Sequence, residues 1–165
     1  MIVASPLRVD EPIGLPYIEP MNVAIVVLIV VVGVVALVAA ILLVTRTVLR
    51  RVTLSSGRMI AENFSEKDIV RSDPAANFFG IASKGGRQVR GNGALVLTSH
   101  VLWFRRIGST QPLEILLASI EFVDVVRSHA GKSVGQDLLR VGFGGDSAAW
   151  YVNDPRSWID SIKTQ

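Results

Sequence analysis

The sequence predicts one N-terminal transmembrane α-helix followed by a mainly β domain that ends in a short C-terminal helix. The first observation behind this prediction is an uncharged apolar run, Val23 to Val44, with seventeen Val, Ile or Leu residues. The second is the part of the chain after residue 75, where short runs rich in Val, Leu, Phe and Trp are separated by Gly, Ser, Asn and Asp. Such alternation is typical of strands and turns.

The apolar run is long enough to cross a bilayer, since a helix needs about 20 apolar residues to span roughly 30 Å of hydrocarbon. A buried core helix is usually shorter and has a polar stripe. A cleaved signal peptide has a basic start and a shorter apolar core. We therefore expect residues 23–44 to be a permanent span in contact with the lipid bilayer. Residues 1–22 carry four prolines and are predicted to form an irregular tail outside the membrane.

The charges that flank the span predict its orientation. Four arginines follow it within a few turns: Arg46, Arg50, Arg51 and Arg58. The preceding tail leans acidic, and the side richer in Lys and Arg stays in the cytoplasm. We expect a single-pass protein of the cell membrane with its N-terminus outside and its C-terminal domain in the cytoplasm. Residues 45–74 are predicted to be a basic juxtamembrane segment and linker, with Ser55, Ser56 and Gly57 interrupting the helix.

Residues 75–165 are predicted to form the β domain. The expected strands are 78–83, 94–98, 101–107, 113–116, 120–127, 138–143 and 148–152, with a hairpin turn at 144–147 and a polar loop over 128–137. Asp154 and Pro155 suit the start of a helix, in which Trp158, Ile159 and Ile162 share one face. That face must cover something, and the open end of a small antiparallel barrel would suit it.

This pattern resembles the pleckstrin-homology-like fold, and more closely its GRAM and bacterial PH-type members. The residues that carry the resemblance are 93–98 with 101–104, 113–115, 120–123, 149–152 and Trp158. The chain also resembles bacterial membrane proteins that place such a domain behind one N-terminal span. The resemblance implies a barrel or sandwich of about seven antiparallel strands closed by a C-terminal helix, and it implies a binding module.

Composition and motifs argue against several other functions. The chain has no Cys, so disulfides and thiolate sites are excluded. Its net charge of +3 is concentrated beside the span, which favours anionic lipid over nucleic acid. Gly131-Lys132-Ser133 lacks the earlier glycine of a P-loop, because Val126 stands there. His100 and His129 have no partner at ligand spacing, so we expect turn or surface histidines, no metal, no cofactor and no enzymatic activity.

Two binding functions remain open. In one, the basic first turn of the domain contacts anionic lipid headgroups or phosphate through Lys84, Arg87 and Arg90, with Arg105 and Arg106 on a neighbouring strand. In the other, the domain is a platform for an unidentified membrane or cytoplasmic protein, with Arg127, His129 and Lys132 on a partner-facing loop. We favour the protein platform because the spacing of the basic turn departs from the usual phosphoinositide pattern. Small residues in the span, Gly33, Ala36, Ala39 and Ala40, also suggest helix dimerisation, without a full GxxxG motif.

Overall fold

The computed structural model describes residues 22–165, which fall into two units: a first unit that ends at Leu42 and a second unit, Leu43–Gln165. The predicted tail over residues 1–22 therefore lies, apart from Asn22, outside the described residues. All other described residues of the first unit belong to helix α1, Val23–Asn63. Their apolar side chains are exposed, and α1 is the one helix in residues 22–165 that is long and apolar enough to cross a membrane.

The α1 helix continues into the second unit, and the predicted interruption at Ser55–Gly57 is wrong. Ser56, Met59 and Ile60 are buried. Their spacing places them on one helix face, which packs in the second unit. The Asn63 side chain donates a hydrogen bond to the Met59 carbonyl at 2.7 Å near the helix end. Tertiary packing of one face stabilises a helix more than propensity does, so the weak helix formers Ser and Gly do not end it.

The second unit contains a seven-stranded antiparallel sheet followed by a helix, which confirms the predicted layout. Its strands are β1 Arg71–Ile81, β2 Gly91–Leu97, β3 Val101–Arg106, β4 Leu113–Leu116, β5 Ile120–His129, β6 Lys132–Phe143 and β7 Asp146–Tyr151. Their order is β4-β3-β2-β1-β7-β6-β5. Within residues 22–165 the sheet is not closed, because β4 and β5 are its two terminal strands and each pairs on one side only.

One large core lies on the inner face of this sheet. Leu95, Leu97 and Trp150 are fully buried in it, and Ile115 of β4 and Val123 of β5 pack against the same cluster. Because both terminal strands reach one core, the sheet must curve around it. Helix α2, Pro155–Lys163, adds Trp158 and Ile162 to this core. The predicted cap is present: Asp154 Oδ1 accepts a hydrogen bond from the Ser157 backbone N–H at 3.2 Å.

Two smaller clusters lie on the outer face of the sheet. The α1 cluster joins Met59 and Ile60 to Ala94, Val96 and Trp103. These strand residues alternate with the inner residues Leu95 and Leu97, as the pleat requires. The hairpin cluster is Phe79, Leu138 and Ala149, with Val126, Val134 and Tyr151 packed at its margin. Both faces of the sheet are therefore partly covered. This explains why some strands contain consecutive apolar residues where a strand with one covered face would alternate apolar and polar residues.

The polar loop predicted over 128–137 is instead a β-hairpin. β5 continues to His129, β6 begins at Lys132, and Ala130 and Gly131 form the turn with φ angles of 49° and 73°. Two positive φ values are what a tight hairpin turn of type I′ requires. The sequence did not predict this hairpin because its side chains are polar and lie on an exposed extension of the two strands. Register shifts between Val126 and Ser128 further break the period-two pattern.

The first strand begins earlier than the predicted Phe78, at Arg71. Pro74 argues against a strand, but a bulge between Asp73 and Ala76 removes it from the regular ladder. The buried Asp73 carboxylate holds this bulge. Oδ1 accepts from the Ala75 N–H and Oδ2 accepts from the Asn153 N–H, both at 2.8 Å. A proline at a bulge loses no ladder hydrogen bond, so β1 runs through it.

Candidate functional site

The basic turn between β1 and β2 is a tightly held loop. Gln88 spans it: its Oε1 accepts from the Ile81 N–H at 2.6 Å, and its Nε2 donates to the carbonyls of Ile81 and Gly85 at 2.7 Å. A short 3-10 turn over Gly85–Arg87 occupies the middle of the loop. The loop therefore presents Lys84 and Arg87 from a fixed backbone.

Two of the five predicted phosphate-contact residues share one cleft. Lys84 and Arg106 line a cleft of about 270 Å³ at the end of β1 and β3. Its remaining lining includes the apolar residues Phe78, Val89, Phe104, Pro112 and Leu113 and the polar residues Ser109 and Gln111. Two cations and two uncharged polar side chains over an apolar floor can hold a small anionic group.

The other three predicted cations do not join this cleft. Arg87 is exposed on the 3-10 turn. The guanidinium of Arg90 lies over the Phe79 ring, 4.6 Å from its centroid, and that of Arg105 lies over Trp103 at 5.5 Å. Arg105 and Arg106 are consecutive on β3, so their side chains leave on opposite faces. Nε of Arg105 and Nε and Nη2 of Arg90 are buried without a hydrogen-bond partner, so the aromatic rings are the main compensation for these charges.

The predicted partner-facing residues separate into exposed and buried positions. Arg127 and Lys132 are exposed, and Arg127 pairs with Asp137 at 2.8 Å, which raises its pKa through the side-chain hydrogen bond and the charge of Asp137. His129 is 5% exposed, so the prediction of a surface histidine there is wrong. Its Nε2 lies 3.1 Å from the Gly80 carbonyl oxygen and its ring packs on Phe79. Burial is the largest effect on His129 and lowers its pKa.

The juxtamembrane arginines remain at the surface of α1. Arg46, Arg50, Arg51 and Arg58 are all exposed. They lie on the part of the helix that belongs to the second unit. In this position they are free to contact solvent or anionic groups.

Sequence reasoning missed the outer edge of β5 and the groove beside it. The groove has a volume of about 230 Å³ and runs between the start of β5 and the end of α2. Five of its seven lining residues are apolar, Leu117, Ile120, Phe122, Val123 and Ile162, and the other two are Glu121 and Lys163; polar and apolar atoms contribute about equally to its exposed surface. The sequence predicted a strand over 120–127, but it did not show that this strand lies at the end of the sheet.

Phe122 is the large exposed apolar side chain at this edge, with 41% of its surface accessible. Its ring occupies the space above Gly142, where an added Cβ would overlap the ring. The Arg140 guanidinium lies 5.1 Å from the Phe122 centroid and forms an ion pair with Asp124, with Nε donating to Oδ1 at 2.9 Å. Phe122 is thus held in a defined position while remaining accessible.

Comparison with known proteins adds no further information about the site. The chain matches no family model, no curated protein and no solved structure. The candidate sites therefore rest on the geometry described above.

Proposed function

We propose that this protein is a single-pass, membrane-anchored binding module of the PH-like type, with its N-terminus outside the cell and its domain at the cytoplasmic face of the cell membrane. Support for the anchor comes from the exposed apolar stretch of α1. The arginines that follow this stretch support the orientation. Support for the PH-like class comes from seven antiparallel strands followed by a helix that packs on the sheet.

The proposed activity is the capture of an extended protein segment along the outer edge of β5. One observation carries this proposal: β5 is a ten-residue terminal strand that pairs, among the described residues, with β6 alone, and it lies beside a groove of mixed polar and apolar surface that α2 completes. An unpaired strand edge offers backbone N–H and C=O groups to an incoming strand, and a groove beside it selects side chains. Anchoring in the membrane raises the effective concentration of the partner, so a modest interface is sufficient.

The contacts made by the titratable groups with shifted pKa values favour binding over catalysis as the function of the domain. Arg127 and Arg140 have raised pKa values because they hydrogen-bond to Asp137 and Asp124. The pKa of Asp146 is lowered chiefly by its hydrogen bond from the Ser83 hydroxyl. Each of these shifts follows from a contact that holds two strands or a strand and a loop together. Groups used in this way hold the fold together, and His129, whose pKa is lowered chiefly by burial, lies against the Gly80 carbonyl.

Photo-crosslinking in whole cells tests the β5 proposal. A photoreactive amino acid replaces Glu121, which is exposed on β5, in the full-length chain. The matched control replaces Glu114, an exposed acidic residue on the other terminal strand, β4. We expect discrete crosslinked species from position 121 and several-fold less from position 114. Equal yields at the two positions, or none at 121, would reject β5 as the binding edge.

A second candidate function is recognition of anionic lipid headgroups, which the shared position of Lys84 and Arg106 favours. Each charge-assisted hydrogen bond contributes about 1.5–3 kcal/mol, so losing one such bond costs about tenfold or more in affinity. We expect a soluble inositol phosphate to bind the full-length protein in nanodiscs, and Lys84→Gln with Arg106→Gln to abolish binding. Lys132→Gln is the control, because Lys132 is an exposed cation outside this cleft. Binding that survives the double substitution would remove this candidate.

A further inference from the structure

The regular part of β5 is nearly self-complementary. Phe122 to Val126 pair residue by residue with Gly142 to Leu138 of β6, and register shifts flank this segment on both sides. Its midpoint is Asp124. Two apolar residues lie on each side of that midpoint, followed by an acid, Glu121, at one end and a base, Arg127, at the other.

We propose that the partner at the β5 edge is a second copy of this chain, with the two β5 strands antiparallel and centred on Asp124. The inference rests on the proposed use of the β5 edge and adds the identity of the occupant. Pairing about a two-fold axis joins the two sheets through the same surface of each copy. It also removes the exposed strand edge, which natural proteins rarely leave uncovered.

This pairing places apolar residues opposite apolar residues and an acidic residue opposite a basic one. In an antiparallel pair centred on Asp124, Phe122 lies opposite Val126 of the second copy, and Val123 lies opposite Val125. Opposite residues in such a pair have Cβ atoms about 4.5–5.5 Å apart and side chains on the same face. The flanking residues, at the register shifts on either side of this segment, bring Glu121 near Arg127 of the second copy. Both residues are exposed, and each already has a partner within its own chain: Glu121 Oε1 accepts a hydrogen bond from the Gly145 N–H at 3.1 Å, and Arg127 pairs with Asp137, so the contact between copies shares or replaces these partners.

Neighbouring registers are less favourable. Centring the pair on Val125 places Asp124 opposite Val126 and Val123 opposite Arg127, so charges face apolar side chains. Centring it on Val123 places Asp124 opposite Phe122. Either change of register loses the Glu121–Arg127 pairs and leaves fewer apolar residues opposite each other, and register is set by such side-chain matching.

The axis brings two Asp124 residues together, and each copy supplies the compensating charge. Arg140 donates from Nε to Oδ1 at 2.9 Å and from Nη2 to Oδ2, so the carboxylate is already paired in the single chain. The same guanidinium lies over Phe122, which fixes its position at the edge. Two ion pairs meet at the axis instead of two bare carboxylates, and like-charge repulsion across the strands is reduced.

Disulfide trapping in native membranes tests the register, because the chain contains no Cys and every disulfide must join introduced residues. Opposite residues fall within the Cα separation of about 4.4–6.8 Å that a disulfide needs. We expect Asp124→Cys to give a disulfide-linked dimer of the full-length protein. Glu121→Cys and Arg127→Cys should each give little disulfide-linked dimer when expressed alone. Co-expression of the two variants should give a strong crosslink between them. Glu114→Cys on β4 measures chance collisions.

Each outcome decides the inference. Trapping at position 124 and across the 121–127 pair, at least fivefold above the Glu114→Cys control, supports it. Absence of the 121–127 crosslink overturns it even if Asp124→Cys disturbs folding, because that pair leaves Asp124 in place. Photo-crosslinking from position 121 to a different protein, without these disulfides, keeps the proposed function and rejects self-pairing. Failure of both experiments rejects both proposals.

Charge exchange provides an independent test of the same pairing. Glu121→Arg and Arg127→Glu should each weaken dimer formation by about tenfold, since each creates two like-charge contacts across the copies. The double variant restores opposite charges between copies and should recover most of the dimer. Arg127→Glu loses the ion pair with Asp137 and Glu121→Arg loses the hydrogen bond from the Gly145 N–H, in the single and double variants alike, so recovery in the double variant reports the contact between copies. A double variant weaker than either single variant would contradict the register.

Discussion

Gly142 leaves the space that the Phe122 ring occupies at the β5 edge. We expect Gly142→Ala to displace this ring and to lower the free energy of unfolding by about 1–3 kcal/mol, the usual cost of overpacking. Thermal or urea unfolding of the full-length protein in detergent measures this change. Gly135→Ala is the control in the same strand, because an added Cβ there contacts nothing within 4 Å. Equal stability of the two variants would show that Phe122 is not held by Gly142.

His129 makes the stability of the domain depend on pH. Its folded-state pKa is lowered, chiefly by burial, so the unfolded chain binds more protons once the pH falls below about 6.5. We expect the free energy of unfolding to be maintained above that pH and to decline as the pH falls below about 6.5. His129→Gln should flatten this slope. An unchanged slope in the variant would assign the effect to other groups.

At the scale of elements, the last turns of α1 are part of the domain. Met59 and Ile60 are buried against Trp103 and Val96 in the α1 cluster. Replacing buried Met or Ile by Ala costs about 2–5 kcal/mol. We expect Met59→Ala and Ile60→Ala each to lower the free energy of unfolding by about 2 kcal/mol or more. Tryptophan fluorescence during denaturant unfolding measures this change. Glu62 is an exposed residue of the same helix, so Glu62→Ala should change the free energy of unfolding little. An effect as large as that of Met59→Ala or Ile60→Ala would contradict this packing.

The elements that the sequence predicted well are those whose signal is local. The apolar run of α1, the alternation in 138–143, the Gly144-Gly145 turn and the Asp154 cap depend on neighbouring residues and were predicted correctly. The elements that were predicted wrongly depend on distant contacts. The α1 helix passes Ser55–Gly57 because the sheet covers one of its faces, and β1 passes Pro74 because Asp73 holds a bulge.

At the scale of the whole molecule, the anchor and its orientation make a direct prediction. A helix with an apolar stretch of this length should resist a carbonate wash of membrane vesicles. The arginines after the stretch should keep the domain inside, so protease added outside intact cells should spare it. Immunoblotting of the full-length protein with a C-terminal tag measures both results. Release by carbonate, or loss of the domain to external protease, would contradict the proposed topology.

The candidate site was harder to predict than the fold. Of the five cations chosen from the sequence, three lie in the β1–β2 loop and two are consecutive on β3, but strand alternation and ring stacking place Arg90 and Arg105 in different outer clusters. Lys84 and Arg106 line one cleft only because the β1–β2 loop lies beside the end of β3. The β5 edge depends on strand order, which requires the pairing of β1 with β7, whose paired residues are 67 to 74 positions apart in sequence. Spacing along the chain contains none of this information.

Amide hydrogen exchange of β5 tests most directly the claim that this edge is where the protein binds. The full-length chain is compared in membranes from producing cells and in nanodiscs that hold a single copy. We predict slower exchange of the Ile120–His129 amides in the cell membranes, where the free side of β5 is occupied, and equal exchange of Leu113–Leu116 in both. Identical exchange of β5 in the two preparations would contradict the account.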